Sequence, residues 1–197
     1  MTMAMDAPAS GYPVTLDVPY PESLSRWLIF VKWLLAIPHL MIVYILAQVL
    51  SILTFIAFFA ILFTKKYPDS LFKFAVGIER WTYNTYAYVG LLRDEYPPFS
   101  LDAGQYPVVF EASAPGELSR WLIFVKWLLV IPNLIVYLFV AIAALFVGFI
   151  AWFAILFTGK YPRGMFDFVI GTMRWGARVN AYTYLWTDQY PPFSTKP

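Results

Sequence analysis

The stretch from Trp27 to Thr64, WLIFVKWLLAIPHLMIVYILAQVLSILTFIAFFAILFT, carries one charge, Lys32. It returns as Trp121 to Thr158, WLIFVKWLLVIPNLIVYLFVAIAALFVGFIAWFAILFT, again with one charge, Lys126. A helix needs about 20 apolar residues to cross a bilayer core. Each run exceeds that even when counted from its proline, Pro38 or Pro132. Composition agrees: the 197 residues are 60% hydrophobic and 13% charged, where a soluble chain is about 25% charged. The chain reads as an all-α integral membrane protein that carries its membrane unit twice.

Sliding the sequence by 94 residues aligns 12–100 with 106–194 without a gap, and 46 of the 89 aligned positions are identical. That is a tandem duplication, and it sets two domains with those bounds. The identities cluster. SRWLIFVKWLL at 25–35 matches 119–129 throughout. AILFTKKYP at 60–68 becomes AILFTGKYP at 154–162, and DEYPPFS at 94–100 becomes DQYPPFS at 188–194. Between them, at 41–54, only hydrophobicity is kept, which is all that a lipid-facing helix requires.

Each repeat opens on a short extended piece, YPVTLDVPYP or YPVVFEASAP. Val14, Leu16 and Val18 alternate with Thr15 and Asp17, a strand-like period. The two copies are expected to pair into a small ribbon at the membrane face. Next come Arg26, Trp27, Lys32 and Trp33, and in the second copy Arg120, Trp121, Lys126 and Trp127. Tryptophan and long cations at the edge of an apolar run are expected headgroup anchors. The prolines that follow remove a backbone donor and are expected to kink the helix.

After the KYP turn a second helix is expected in each repeat. On it Lys73, Gly77, Arg80 and Asn84 form a narrow polar stripe, repeated by Asp167, Gly171, Arg174 and Arg178. Three arrangements fit. The two helices of each repeat form a hairpin that crosses and returns, with both KYP turns on one side. Alternatively the striped helix lies flat and the repeats are inverted. In the third, the long run is itself re-entrant. In the first, Lys73 and Asp167 pair across a central seam, and Arg80, Arg174 and Arg178 attract an anion, a lipid phosphate or a partner; the blander expectation is that Lys73 and Asp167 are solvated near the turn.

Few chemistries are available. There is no cysteine, hence no disulfide, thiolate metal site or cysteine nucleophile. The single histidine, His39, has Asn133 as its repeat counterpart and no co-ligands at metal spacing. No phosphate loop, dinucleotide fingerprint or nucleophile elbow occurs. A net charge of +2 with no basic run excludes a nucleic-acid arm. Asp94 and Asp188 read as turn-forming residues. Of the carboxylates only Glu79 and Asp167 come close to lying within the membrane, and neither is matched in the other repeat. MTMAMDAPASGYPV has neither the basic nor the apolar region of a secretory signal.

SRWLIFVKWLLxIP, AILFTGKYP, RW…AYxYL and D-x-YPPF together resemble an uncharacterised bacterial membrane-domain family, a domain of unknown function found in tandem. The resemblance spans nearly the whole chain; Lys65 departs from it where Gly is preferred. It implies a bacterial cytoplasmic (inner) membrane location and no catalytic residues, and the apolar runs lead us to expect several passes. The expected function is a non-enzymatic membrane module, an interaction or accessory subunit or a membrane organiser. No cofactor or metal is expected. The expected partners are the lipid bilayer and other membrane proteins or further copies of the chain. The alternative is a lipid- or small-solute-binding transporter or channel built on the twofold repeat.

Overall fold

The structure is a computed structural model that describes residues 11–197. Residues 1–10, most of the segment read above for a signal peptide, lie outside the described residues. The elements are β1 (Val14–Asp17), α1 (Lys32–Thr64), α2 (Asp69–Val89), β2 (Val109–Ala112), α3 (Leu122–Leu129), α4 (Ile131–Thr158) and α5 (Arg163–Thr183), with a single 3-10 turn at Leu28–Phe30. The fold is mostly helical, with two long apolar helical stretches, Lys32–Thr64 and Leu122–Thr158, each long and apolar enough to cross a membrane. α1 is continuous, so the re-entrant hairpin does not occur. The two prolines act differently: α1 runs through Pro38, whereas Pro132 sits in the first turn of α4, just after the break at Val130.

β1 and β2 pair antiparallel, with Leu16 opposite Phe110, Thr15 opposite Glu111 and Asp17 opposite Val109. Phe110 is Leu16 advanced by one repeat. A pseudo-twofold axis therefore passes through that pair, and it relates two further pairs of contacts between the halves. The Leu24 N–H donates to Gly159 O and the Leu118 N–H to Lys65 O, both at 2.8 Å. Phe30 meets Trp152 and Phe124 meets Phe58, each at 5.1 Å between ring centroids. The start of α1 thus lies by the end of α4, and the start of α3 by the end of α1. The two KYP turns sit at opposite ends of the molecule, not together as the hairpin arrangement required.

The strands are exchanged. β1 belongs to the first repeat but packs on α5, and β2 packs on α2. The Tyr12 hydroxyl donates to the carbonyls of Arg178 and Gln189, and that of Tyr106 to Glu95 O. Neither half can bury its short helix alone. Ala75–Glu79 and Trp81–Thr85 of α2 are buried without a break, as is Trp175–Val179 of α5. A buried run of five covers every face of a helix, so α2 and α5 form the middle layer. α1 differs: its buried residues Lys32, Ala36, His39, Val43, Leu50, Leu53, Ala57 and Ile61 make one stripe against α2. Its other faces are exposed and apolar.

Each long helix ends on a left-handed residue, Lys65 at φ +61° and Gly159 at φ +70°. A side chain there costs roughly 1–2 kcal/mol, which glycine avoids at the expense of chain entropy. Lys65→Gly is expected to stabilise the fold by about 0.5–1 kcal/mol, read as a higher Tm in detergent. An unchanged or lower Tm contradicts that account of the turn.

Candidate functional site

Repeat-matched polar residues meet first where each long helix begins. Lys32 is on the buried stripe of α1, and its Nζ lies 2.7 Å from Asp94 Oδ1. It also donates to Arg93 O at 2.7 Å and stands 5.1 Å over the Tyr88 ring. Lys126 repeats this with Asp188 at 2.8 Å, Thr187 O at 2.7 Å and Tyr182 at 5.1 Å. The second carboxylate oxygen of each aspartate accepts a backbone N–H, from Ser25 or Ser119, at 2.6 Å. Lys32 and Lys126, at 1% and 2% exposure, are therefore not headgroup anchors. Each faces inward, while the neighbouring Trp33 and Trp127 face out.

One turn further on, the Trp81 indole N–H donates to His39 Nδ1 at 2.9 Å, and the Trp175 N–H to Asn133 Oδ1 at 2.7 Å. Asn133 Nδ2 donates to Pro191 O at 2.8 Å, whereas His39 Nε2 is buried without a hydrogen-bond partner. A neutral imidazole and a carboxamide thus share one job, accepting from a tryptophan, and Asn133 alone also donates to the YPPF carbonyl. Phe99 stacks on His39 at 4.1 Å. The D-x-YPPF segment, the K-W-x-x-x-I-P segment and the R-W pair converge into one clamp per repeat.

The polar stripes of α2 and α5 face the ribbon and the connecting loops. Arg80 donates to Leu101 O at 2.8 Å and lies 3.8 Å from Glu111. Arg174 donates to Leu16 O at 2.8 Å and reaches Asp17 at 2.5 Å. Arg178 is buried and donates to the carbonyls of Ser194 and Lys196. These three arginines hold the exchanged strands and the chain's closing segment. Lys73 and Asp167 are not brought together: both are exposed, and Asp167 pairs with Arg163 on its own helix at 3.3 Å. Arg26 and Arg120 are exposed, and Arg120 donates to Phe63 O at 3.0 Å. Trp27, Trp33, Trp121 and Trp127 are 64–81% exposed.

The seam between α2 and α5 holds an asymmetric group. Glu79 is buried and accepts from Asn180 Nδ2 at 3.1 Å, beside Tyr83. Its counterpart in the second repeat is Met173. Burial pushes the Glu79 carboxyl up to about 7, and the Asn180 hydrogen bond opposes that only in part. Among the described residues, no three His, Asp or Glu side chains are grouped to hold a metal ion.

Residues 26–100 and 120–195 each match the family described as Domain of unknown function (DUF4389). The chain belongs to this family. No curated protein and no solved structure matches it. The two DUF4389 segments contain every clamp residue named above except Ser25 and Ser119, which supply only backbone. They leave out β1 and β2, so the strand exchange that joins the halves lies beyond the matched segments.

The clamp partners are matched letters in both repeats; the charge of Lys32 favours the headgroup, but its spacing to Ala36 and His39 puts it on the buried stripe. Glu79 had only its lack of a counterpart to mark it. Its raised pKa predicts a pH effect. The unfolded chain loses the proton near pH 4.5 and the folded one near 7, so this group destabilises the fold progressively as pH rises between those values. Glu79→Gln keeps the acceptor for Asn180 and removes the charge. The variant is expected to gain Tm over the parent progressively from pH 5 to 8; a pH-independent difference contradicts this.

Proposed function

We propose that this DUF4389 protein is a non-enzymatic module of the bacterial cytoplasmic membrane, an accessory or interaction subunit that also orders the lipid around it. The observation that carries it is the surface of the long helices. Outside one stripe, α1 and α3–α4 present large apolar side chains, among them Met41, Tyr44, Phe55, Phe63, Phe139, Leu145 and Phe157 at 64–75% exposure. Soluble monomers rarely expose contiguous apolar patches beyond a few hundred Å². The buried repeat-matched polar residues, Lys32 and Lys126 with Asp94 and Asp188, are by contrast engaged in holding the fold. The test is expression of the tagged full chain, alkaline extraction of the membranes, and mild-detergent purification with identification of co-purifying proteins and lipids. Retention in the extracted membrane with a stoichiometric protein or lipid supports the proposal. Release as a detergent-free monomer contradicts it.

A second reading, a transporter or channel for a lipid or small solute, draws on the twofold seam with its buried Glu79. Solute flux in reconstituted vesicles, lost in Glu79→Gln, would favour it over the accessory role.

A further inference from the structure

We propose that α1 and α3–α4 do not cross the bilayer but lie side by side within one leaflet, parallel to the membrane plane, with the ribbon in water on the same side. This rests on the membrane reading above. The twofold axis carries it. Phe30 against Trp152 and Phe58 against Phe124 bracket Tyr44 and Leu138 evenly, so the axis passes midway along the long helices. The same axis passes through Leu16 and Phe110 in the ribbon. The ribbon therefore stands level with the midpoint of the long helices, on the far side of α2 and α5.

If the long helices crossed, the ribbon would sit at the centre of the bilayer and face the acyl chains. Asp17 and Glu111, with side chains 64% and 44% exposed, would be there with it, as would Arg80 and Arg174. Charge is costliest at that depth, and a two-stranded ribbon has open edges whose backbone groups lipid cannot satisfy. The in-plane orientation puts all of these in water.

Length agrees. α1 has 33 residues and Leu122–Thr158 has 37, about 50 and 55 Å at 1.5 Å per residue. A hydrocarbon core is about 30 Å thick, and fitting 50 Å of helix into it needs a tilt of about 53°, beyond the 0–40° that crossing helices show. Lying flat, a helix layer about 10 Å thick fits within a leaflet of about 15 Å, half that core. The ends of the layer carry exposed Arg26, Lys160 and Arg163 at one side and Arg120, Lys65 and Lys66 at the other. They match a ring of anionic headgroups, with the exposed tryptophans at the same level.

Two measurements on the full chain test this, and both use its lack of cysteine. Single Lys65→Cys, Lys160→Cys and Gln105→Cys variants are expressed, and an impermeant maleimide is applied to intact cells and to inverted membrane vesicles. All three are expected to label from one and the same side; opposite labelling of Lys65→Cys and Lys160→Cys overturns the proposal. Nitroxides are then placed at Met41, Ile45, Ile52, Phe59 and Phe63, all exposed and on the face of α1 opposite its buried stripe. Equal depths to within a few ångströms are expected in vesicles of phosphatidylcholine and phosphatidylglycerol. A depth that changes steadily along the helix by about 1.5 Å per residue overturns it. Release of the chain by alkaline extraction would instead fail the membrane reading itself.

Discussion

Asp94→Asn is expected to destabilise the protein by about 3 kcal/mol, at the low end of what breaking a buried pair costs. The pair is lopsided: the Lys32 side chain is 2% exposed and the Asp94 side chain 26%. Asn leaves a buried ammonium without its counter-charge and offers one acceptor where two were used, so either Lys32 or the Ser25 N–H also loses its partner. Removing the lysine leaves a carboxylate that keeps the Ser25 N–H and some solvent. Lys32→Met should therefore cost less than Asp94→Asn, and Lys126→Met less than Asp188→Asn. At about 2–4 °C per kcal/mol for a chain of this size, each aspartate variant should lose about 6–12 °C in Tm. Equal losses from lysine and aspartate variants, or none, would show that the clamp is solvated and that Lys32 is a surface anchor after all.

Asn133→Leu is expected to cost about 2–5 kcal/mol, because it strands two buried groups at once. The Trp175 N–H and the Pro191 carbonyl each lose their partner, and an unpaired buried polar group costs about 1–3 kcal/mol. Asn133→His should be milder by about 1–3 kcal/mol, since His39 in the first repeat already accepts from its tryptophan in the same way and only the Pro191 carbonyl would lose its donor. Thermal unfolding in detergent of the two variants reads the difference. If histidine at 133 is as damaging as leucine, the equivalence of the two clamps is wrong.

Much of this fold is written plainly in the chain. The repeat offset, the long helices, the short second helix and the alternation of Val14, Leu16 and Val18 are local periodicities, and local periodicity survives without coordinates. What escaped was the relation between the halves. Nothing in the letters of YPVTLDVPYP says that it packs on the other repeat's helix, because an exchanged strand has the same pattern as one that stays home. Lys32 was read by its type, and type favours the headgroup; its place on the stripe of Ala36 and His39, and a carboxylate 62 positions away in Asp94, decide otherwise. The stripe containing Arg80 and Arg174 was legible as polar, but its partners, Glu111 and Asp17, come from the exchanged strands. Glu79 could be seen only as a letter without a mate.

The antiparallel, strand-exchanged pairing of the two repeats carries the twofold axis and, through it, the orientation in the leaflet. Cross-linking across the ribbon tests it most directly. Asp17 and Val109 are opposed in the register and both are exposed. An Asp17→Cys, Val109→Cys double variant, oxidised in native membranes at low expression, should close a disulfide within one chain, seen as a faster-running monomer that reverts on reduction. Thr15→Cys with Val109→Cys, out of register by two residues, should close poorly. Failure of the in-register pair to close, or closure only between chains as a covalent dimer, would contradict the account.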